Sequence, residues 1–229
     1  MDKAQEETYF PLKYRLARFL FLLVTRPFVR SLRGLDHLPQ EGAFIAAANH
    51  CSLMDGILIG TYATLHLKRH MHFLSTTKYY NNPFLRWITE TTQSIWRKRG
   101  EESRTLLIAL EYLKEGKIIA IFPEGGRSIN GRIGKAQSGI GALVLASRAP
   151  VVPIGLIGTN KVFPAGSFIP HLARCEMNIG EPLNLGAYYP AYDEAISHKD
   201  QEKMRKIEEE TTRVIMREIA RLSKQEYSC

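Results

Sequence analysis

Gly42-Ala-Phe-Ile-Ala-Ala-Ala48-Asn49-His50-Cys51-Ser52-Leu53-Met54-Asp55 passes from an apolar run, through a short polar turn, into a helical pattern. A short apolar run between turn signals predicts a buried strand, and a helix is expected from Ser52 to Leu67. This strand–helix unit recurs along the chain. Strands are predicted over Met71–Ser75, Gln93–Trp96, Lys117–Phe122, Val151–Ile157 and Cys175–Ile179. Helices are predicted over Pro83–Thr89, Ser103–Lys114, Ser138–Ser147 and Gln201–Lys224. Strands alternating with helices imply an α/β fold with a mostly parallel or mixed central sheet covered by helices. No repeat or linker divides the chain, so one domain is expected.

The 229 residues carry 31 Lys+Arg against 23 Asp+Glu, a net charge of +8, with 45% hydrophobic residues. That composition excludes a disordered or fibrous chain. A pI near 9.4 points to an anionic partner: nucleic acid, an acidic membrane or a phosphorylated substrate. Nucleic-acid binding expects cations interleaved with exposed aromatics, or a helix-turn-helix pattern, and the sequence has neither. Cys51, Cys175 and Cys229 are too few and too scattered for a disulfide framework, which fits a reducing cytoplasm.

At the amino terminus the apolar run Phe19–Val24 is far short of the roughly 20 residues that span a bilayer. Arg26, Arg30 and Arg33 follow it and no small-residue cleavage site is present, so a signal peptide is not expected. A cationic, apolar helix remains, either packed on the core or lying in the membrane interface. The interfacial alternative divides the chain into a membrane segment, residues 1–33, and a folded domain, residues 34–229, held peripherally or monotopically at the cytoplasmic face of a phospholipid membrane.

Functional groups of α/β sheets collect beyond the carboxyl ends of strands. His50 and Asp55 stand at one such end. Within a single helix they would lie about 140° apart. If Ser52 caps the helix, His50 sits in the loop and Asp55 in the first turn, where the carboxylate reaches the imidazole as an orienting acid beside a general base. An Asx-type turn with a capping serine explains the same residues without chemistry. A second strand end reads Phe122-Pro123-Glu124-Gly125-Gly126-Arg127-Ser128. Its glycines permit close backbone approach and Arg127 suits a bidentate phosphate contact; a tight turn is the simpler alternative. His66, His70 and His72 are expected at the surface rather than on a metal, for want of a carboxylate partner.

Taken together, Asn-His-x4-Asp and, about 70 residues on, Phe-Pro-Glu-Gly-x-Arg-Ser resemble the glycerolipid acyltransferase family, whose best-known members are the 1-acyl-glycerol-3-phosphate acyltransferases. The likeness extends through Ile95-Trp-Arg97-Lys-Arg99-Gly100, Gly134-Lys135-Ala-Gln-Ser-Gly139 and Val151-Val-Pro153-Ile-Gly155. One departure is Gly126, where the family has threonine. The resemblance implies acyl transfer from an acyl thioester, of acyl carrier protein or coenzyme A, to a lysophospholipid hydroxyl, foremost 1-acyl-glycerol-3-phosphate giving phosphatidic acid. It implies His50 as base, oriented by Asp55, with neither Cys51 nor Ser52 as nucleophile. Arg99, Glu124, Gly125, Gly126, Arg127 and Ser128 would form the acceptor's phosphate and glycerol site, helped by Arg97 and Lys135. Arg99 is favoured over Arg97 as the motif arginine. No metal or bound cofactor is implied. Another lysolipid or hydroxylated lipid as acceptor, or a non-catalytic lipid-binding relative, are the alternatives.

Overall fold

Seven strands form one sheet in the order β1-β7-β6-β2-β5-β3-β4, with all neighbours parallel except β6 and β7. The strands are β1 Val29–Arg33, β2 Phe44–Ala48, β3 Met71–Thr76, β4 Ile95–Arg97, β5 Ile118–Ile121, β6 Val151–Ile157 and β7 Cys175–Ile179. The helices are α1 Leu12–Thr25, α2 Met54–Leu67, α3 Pro83–Thr91, α4 Glu102–Lys114, α5 Gly139–Ser147, α6 Thr159–Val162, α7 Tyr189–Ser197 and α8 Gln201–Leu222. This computed structural model describes residues 12–77, 81–98, 100–137, 139–164, 167 and 169–227. Arg99 lies outside the described residues.

The alternating side chains of β2 show how the layers form. Phe44, Ala46 and Ala48 join one core with Met54, Leu58 and Ala63 of α2. Ile45 and Ala47 join the other, with Ala109 and Leu113 of α4, Leu143 and Val144 of α5, and Ile215 and Ile219 of α8. All five β2 side chains are buried, as befits a parallel strand covered on both faces.

The back layer is seated on β6 through Gly155. A Cβ there would lie 2.2 Å from the Leu222 carbonyl carbon and 2.3 Å from the Ser223 nitrogen, both backbone. Gly155→Ala should therefore force α8 outward and destabilise the fold by about 1–3 kcal/mol. Urea denaturation checks this, and an unchanged midpoint would refute the contact.

The amino-terminal segment, residues 1–33, is not helical to its end and does not stay apart from the folded domain. The helix stops at Thr25, Arg26–Phe28 form a 3-10 turn, and Val29–Arg33 enter the sheet beside β7. Pro27 accounts for the stop, since its ring clashes with a continuing helix. His72 is also not at the surface. It is 4% exposed, its Nδ1 lies 3.0 Å from the Gln93 carbonyl oxygen, and its ring meets Tyr112 edge-on. Among the described residues, no helix is long and apolar enough to cross a membrane.

Candidate active site

β2 and β5 are adjacent and parallel, so the loops that leave their carboxyl ends meet although 74 residues separate His50 from Glu124. β6 flanks β2 on the other side and is pinned to the same place. The Asn49 side chain donates to the Leu156 carbonyl (3.0 Å) and accepts from the Leu156 N–H (2.7 Å), extending the β2–β6 pairing past the last strand residue.

His50 follows directly. Its backbone N–H donates to Glu124 Oε1 at 2.7 Å, and its carbonyl accepts from the Ser128 N–H at 2.8 Å. The imidazole stacks on Phe122, with centroids 4.0 Å apart and planes 14° from parallel. Nδ1 lies 2.9 Å from Asp55 Oδ2. That oxygen also accepts the N–H groups of Cys51 and Ser52, each at 2.7 Å. A carboxylate only accepts, so Nδ1 is the nitrogen that carries a proton, and Nε2 is the one left to act as the base. Asp55 is wholly buried, while the His50 side chain retains 16% exposure. The helix begins at Met54 with Leu53, not the expected Ser52, at its N-cap. Ser52 Oγ, one residue further back, accepts the Met54 N–H at 3.2 Å, while Asp55 in the first turn accepts N–H groups of the preceding loop.

Cys51 is 4% exposed with Sγ 3.3 Å from Thr159 Oγ1. Burial, reinforced by the Asp55 charge, pushes its thiol up to about 12. It stays a protonated thiol at neutral pH, which disqualifies it as a nucleophile.

Glu124 does something other than the expected orienting of an arginine or a substrate hydroxyl. Its second oxygen accepts the Gly134 N–H at 2.7 Å, so both oxygens are engaged by backbone. Burial raises its pKa, opposed by those two N–H donors. The carboxylate fastens the β2 loop to the β5 loop and to the segment before α5, where these amides would otherwise lack partners.

Arg97, at the end of β4, donates to the Gly125 carbonyl (2.9 Å) and to Gln137 Oε1 (2.8 Å). Gly125 has φ +71°, and a Cβ there would fall 2.4 Å from the Gln137 side chain, so the clasp requires glycine. Nothing lies within 4 Å of a Cβ built on Gly126. Threonine would fit there, and no packing demand explains the departure. Arg127 is half-buried on the same loop, Ser128 Oγ donates to Asn130 Oδ1 at 2.8 Å, and Lys135 is exposed on the approach to α5.

Part of this set opens on a cavity of about 880 Å³, whose lining does not include Glu124, Arg127, Ser128 or Lys135. His50, Arg97, Gly125, Gly126 and Gln137 line its polar end. Leu20 and Val24 of α1, Ile57 of α2, Phe73 of β3, and Leu85 and Ile88 of α3 line the rest. Such a site presents an imidazole base, a fixed guanidinium and an apolar chamber to one ligand. Gln137 escaped the sequence reading because nothing in its local spacing shows that it reaches back to β4.

The layered sheet with a histidine–aspartate pair at a central strand's carboxyl end places the chain in the class of acyltransferase-fold α/β proteins. More narrowly, it belongs to the Acyltransferase family, whose model matches residues 30–157. It is 32% identical over 146 residues to a chloroplastic 1-acyl-sn-glycerol-3-phosphate acyltransferase of Brassica napus, an alignment covering 62% of this chain and 41% of the relative. The chain thus spans about two fifths of that plant relative's length. A Bacillus subtilis 1-acyl-sn-glycerol-3-phosphate acyltransferase is 25% identical over 166 residues, covering 68% of this chain and 77% of the relative. The solved structure of the 1-acyl-sn-glycerophosphate acyltransferase of Thermotoga maritima superposes with a TM-score of 0.64 at 25% identity, over 95% of this chain and 80% of that one.

Proposed function

We propose that the protein transfers an acyl group from a thioester, of coenzyme A or acyl carrier protein, to the free hydroxyl of 1-acyl-glycerol-3-phosphate, giving phosphatidic acid. The observation that carries this is the His50–Asp55 pair at the polar end of an apolar cavity of about 880 Å³, in a chain of this family. His50 Nε2 takes the hydroxyl proton as the oxygen attacks the thioester carbonyl. Asp55 holds the ring and stabilises the imidazolium that forms. The tetrahedral intermediate collapses with cleavage of the carbon–sulfur bond, and the imidazolium returns the proton to the departing thiolate. Ester and thiol result, with no acyl-enzyme. The apolar chamber suits an acyl chain, since burying each methylene contributes about 0.8 kcal/mol.

Arg97 uses two N–H groups on Gly125 and Gln137, which holds its five-donor fork in place for the acceptor phosphate. Arg127, on the same loop as Gly125, serves the same anion, and Arg99 and Lys135 add positive charge nearby in sequence. The enzyme works peripherally at the cytoplasmic face of the membrane that holds its acceptor, with α1 as the contact. Lysine cannot reproduce a fixed, bidentate guanidinium contact. Arg97→Lys and Arg127→Lys should therefore raise the KM for the phosphorylated acceptor about tenfold or more, with little change in the KM for the donor. Steady-state kinetics with both substrates varied checks this. Equal rises for acceptor and donor would assign the arginines to the fold or to the donor. The reading as a whole is tested by incubating the protein with a panel of lysolipid acceptors and both donor types and analysing products by mass spectrometry. Absence of phosphatidic acid with either donor would overturn it.

A further inference from the structure

We infer that the loop Ile169–Leu172 is a second membrane-docking element, separate in sequence from α1, which inserts into the same anionic phospholipid leaflet. The inference rests on the membrane reading of the proposed function and adds a contact that reading does not contain.

Leu172 is 103% exposed and Ile169 74% exposed, flanking Pro170 and His171. An isolated exposed apolar side chain is ordinary. Two in four residues, on a turn tied down by backbone bonds, are not explained by slack. The His171 N–H donates to the Val162 carbonyl at the end of α6, and the Ala173 N–H to the His171 carbonyl, both at 2.8 Å. Arg174 Nη1 donates to the Pro27 carbonyl at 2.6 Å, which fastens the loop beside the end of α1.

The loop and α1 also share a cavity. Pro170 and Phe163 line it, together with Leu20, Phe21 and Val24 of α1 and Trp87 of α3. Leu20 (47%), Val24 (50%) and Trp87 (40%) are exposed as well as lining, so they form its rim. Exposed apolar residues therefore come to this rim from three separate segments. Exposed cations flank these segments in the chain, Arg26 and Arg30 just after α1, Lys161 in α6 and Arg174 just after the loop, with Glu176 3.9 Å from Arg30. Apolar tips flanked by cations fit an anionic lipid surface, whose headgroups meet the cations while the tips enter the acyl region. With contacts from both α1 and this loop, the cavity opens into the leaflet, and a lysolipid can enter without crossing water.

The test uses the full chain with vesicles of phosphatidylcholine and phosphatidylglycerol. Ile169→Asp/Leu172→Asp should weaken co-sedimentation about tenfold or more, with the circular dichroism spectrum unchanged. Independently, Leu172→Cys in a Cys229→Ser background, carrying an environment-sensitive fluorophore, should shift to the blue on vesicle addition and be quenched by brominated acyl chains. This labelled variant decides the matter if the double aspartate fails to fold. A label that stays in water while Phe19→Asp/Leu23→Asp strips the protein from vesicles would overturn the inference and leave the membrane reading standing. If the unmodified protein does not bind these vesicles, the membrane reading itself fails, and the inference with it.

Discussion

His50→Ala should lower kcat by about 100- to 10,000-fold, the range a positioned general base contributes, with the fold intact. The imidazole is stacked on Phe122 and held at Nδ1, but its backbone, not its ring, joins the β2 and β5 loops. Removing the ring leaves the bonds to Glu124 and Ser128 in place. Asp55 requires a gentler substitution. Its Oδ2 also accepts the Cys51 and Ser52 N–H groups, so Asp55→Ala would strand buried donors at a cost of about 1–3 kcal/mol each. Asp55→Asn keeps an acceptor but loses the charge that favours the imidazolium, and should lower kcat somewhat less than His50→Ala. Cys51→Ala should keep most activity, because the thiol is buried and pushed up to about 12. Measured turnover with circular dichroism on each variant separates these cases. Near-normal turnover in His50→Ala would end the base assignment, and inactivation by Cys51→Ala would indicate a covalent acyl-enzyme.

That pair was legible in the sequence because its geometry is local. A strand end, a five-residue loop and a first helical turn bring residues 50 and 55 together where the helix starts at Met54. The α/β alternation was legible for the same reason: β2, β5 and β6 are unbroken apolar runs, and the core helices carry their own periodicity. β1 was not. Val29-Arg-Ser-Leu-Arg33 is an edge strand with half-exposed side chains, following a helix of similar composition. Its partner β7 is remote in sequence, so no local signal separates it from the helix. α7 was missed because Tyr189–Ser197 buries only Tyr192 and Ala195, too few to show a period.

Within the site, the same division holds. Residue types foretold a base, an acid and cations, but not which groups serve structure. Glu124 looks chemical in sequence, yet both its oxygens are spent on backbone amides supplied by two distant segments. Arg97 and Gln137 lie 40 residues apart and meet only because β4 and the segment before α5 flank Gly125. His72 looked like a surface residue because burial depends on the sheet and on Tyr112 above it.

The second large effect concerns α1 and the proposed membrane contact. Tyr14, Ala17 and Thr25 are buried, and Arg18 Nη1 reaches the Thr64 carbonyl of α2 at 3.3 Å. The opposite side offers Leu12 (76% exposed), Leu16 (56%), Phe19 (55%) and Leu23 (54%) to solvent. Their spacing follows one helical stripe. The helix thus has a packed face and an open apolar face, and only the open one is available to lipid. Substitutions must respect that difference. Phe21 lines the cavity and its ring lies 6.1 Å from that of Trp87, so changing it would disturb the site itself. Truncation through residue 30 would cut into β1. Phe19→Asp/Leu23→Asp touches neither. Fully burying such side chains stabilises by about 1.5–3 kcal/mol each, so the pair should lower vesicle affinity by about 100-fold or more. Turnover of bilayer-embedded lysophosphatidate should fall with it, because long-chain substrate must otherwise be drawn through water. Turnover of a short-chain, water-soluble acceptor should survive. Raising salt should weaken the unmodified protein's binding as well, since the cations around the stripe act through screened attraction. Equal losses on the embedded and the soluble acceptor would instead make α1 a wall of the cavity and nothing more.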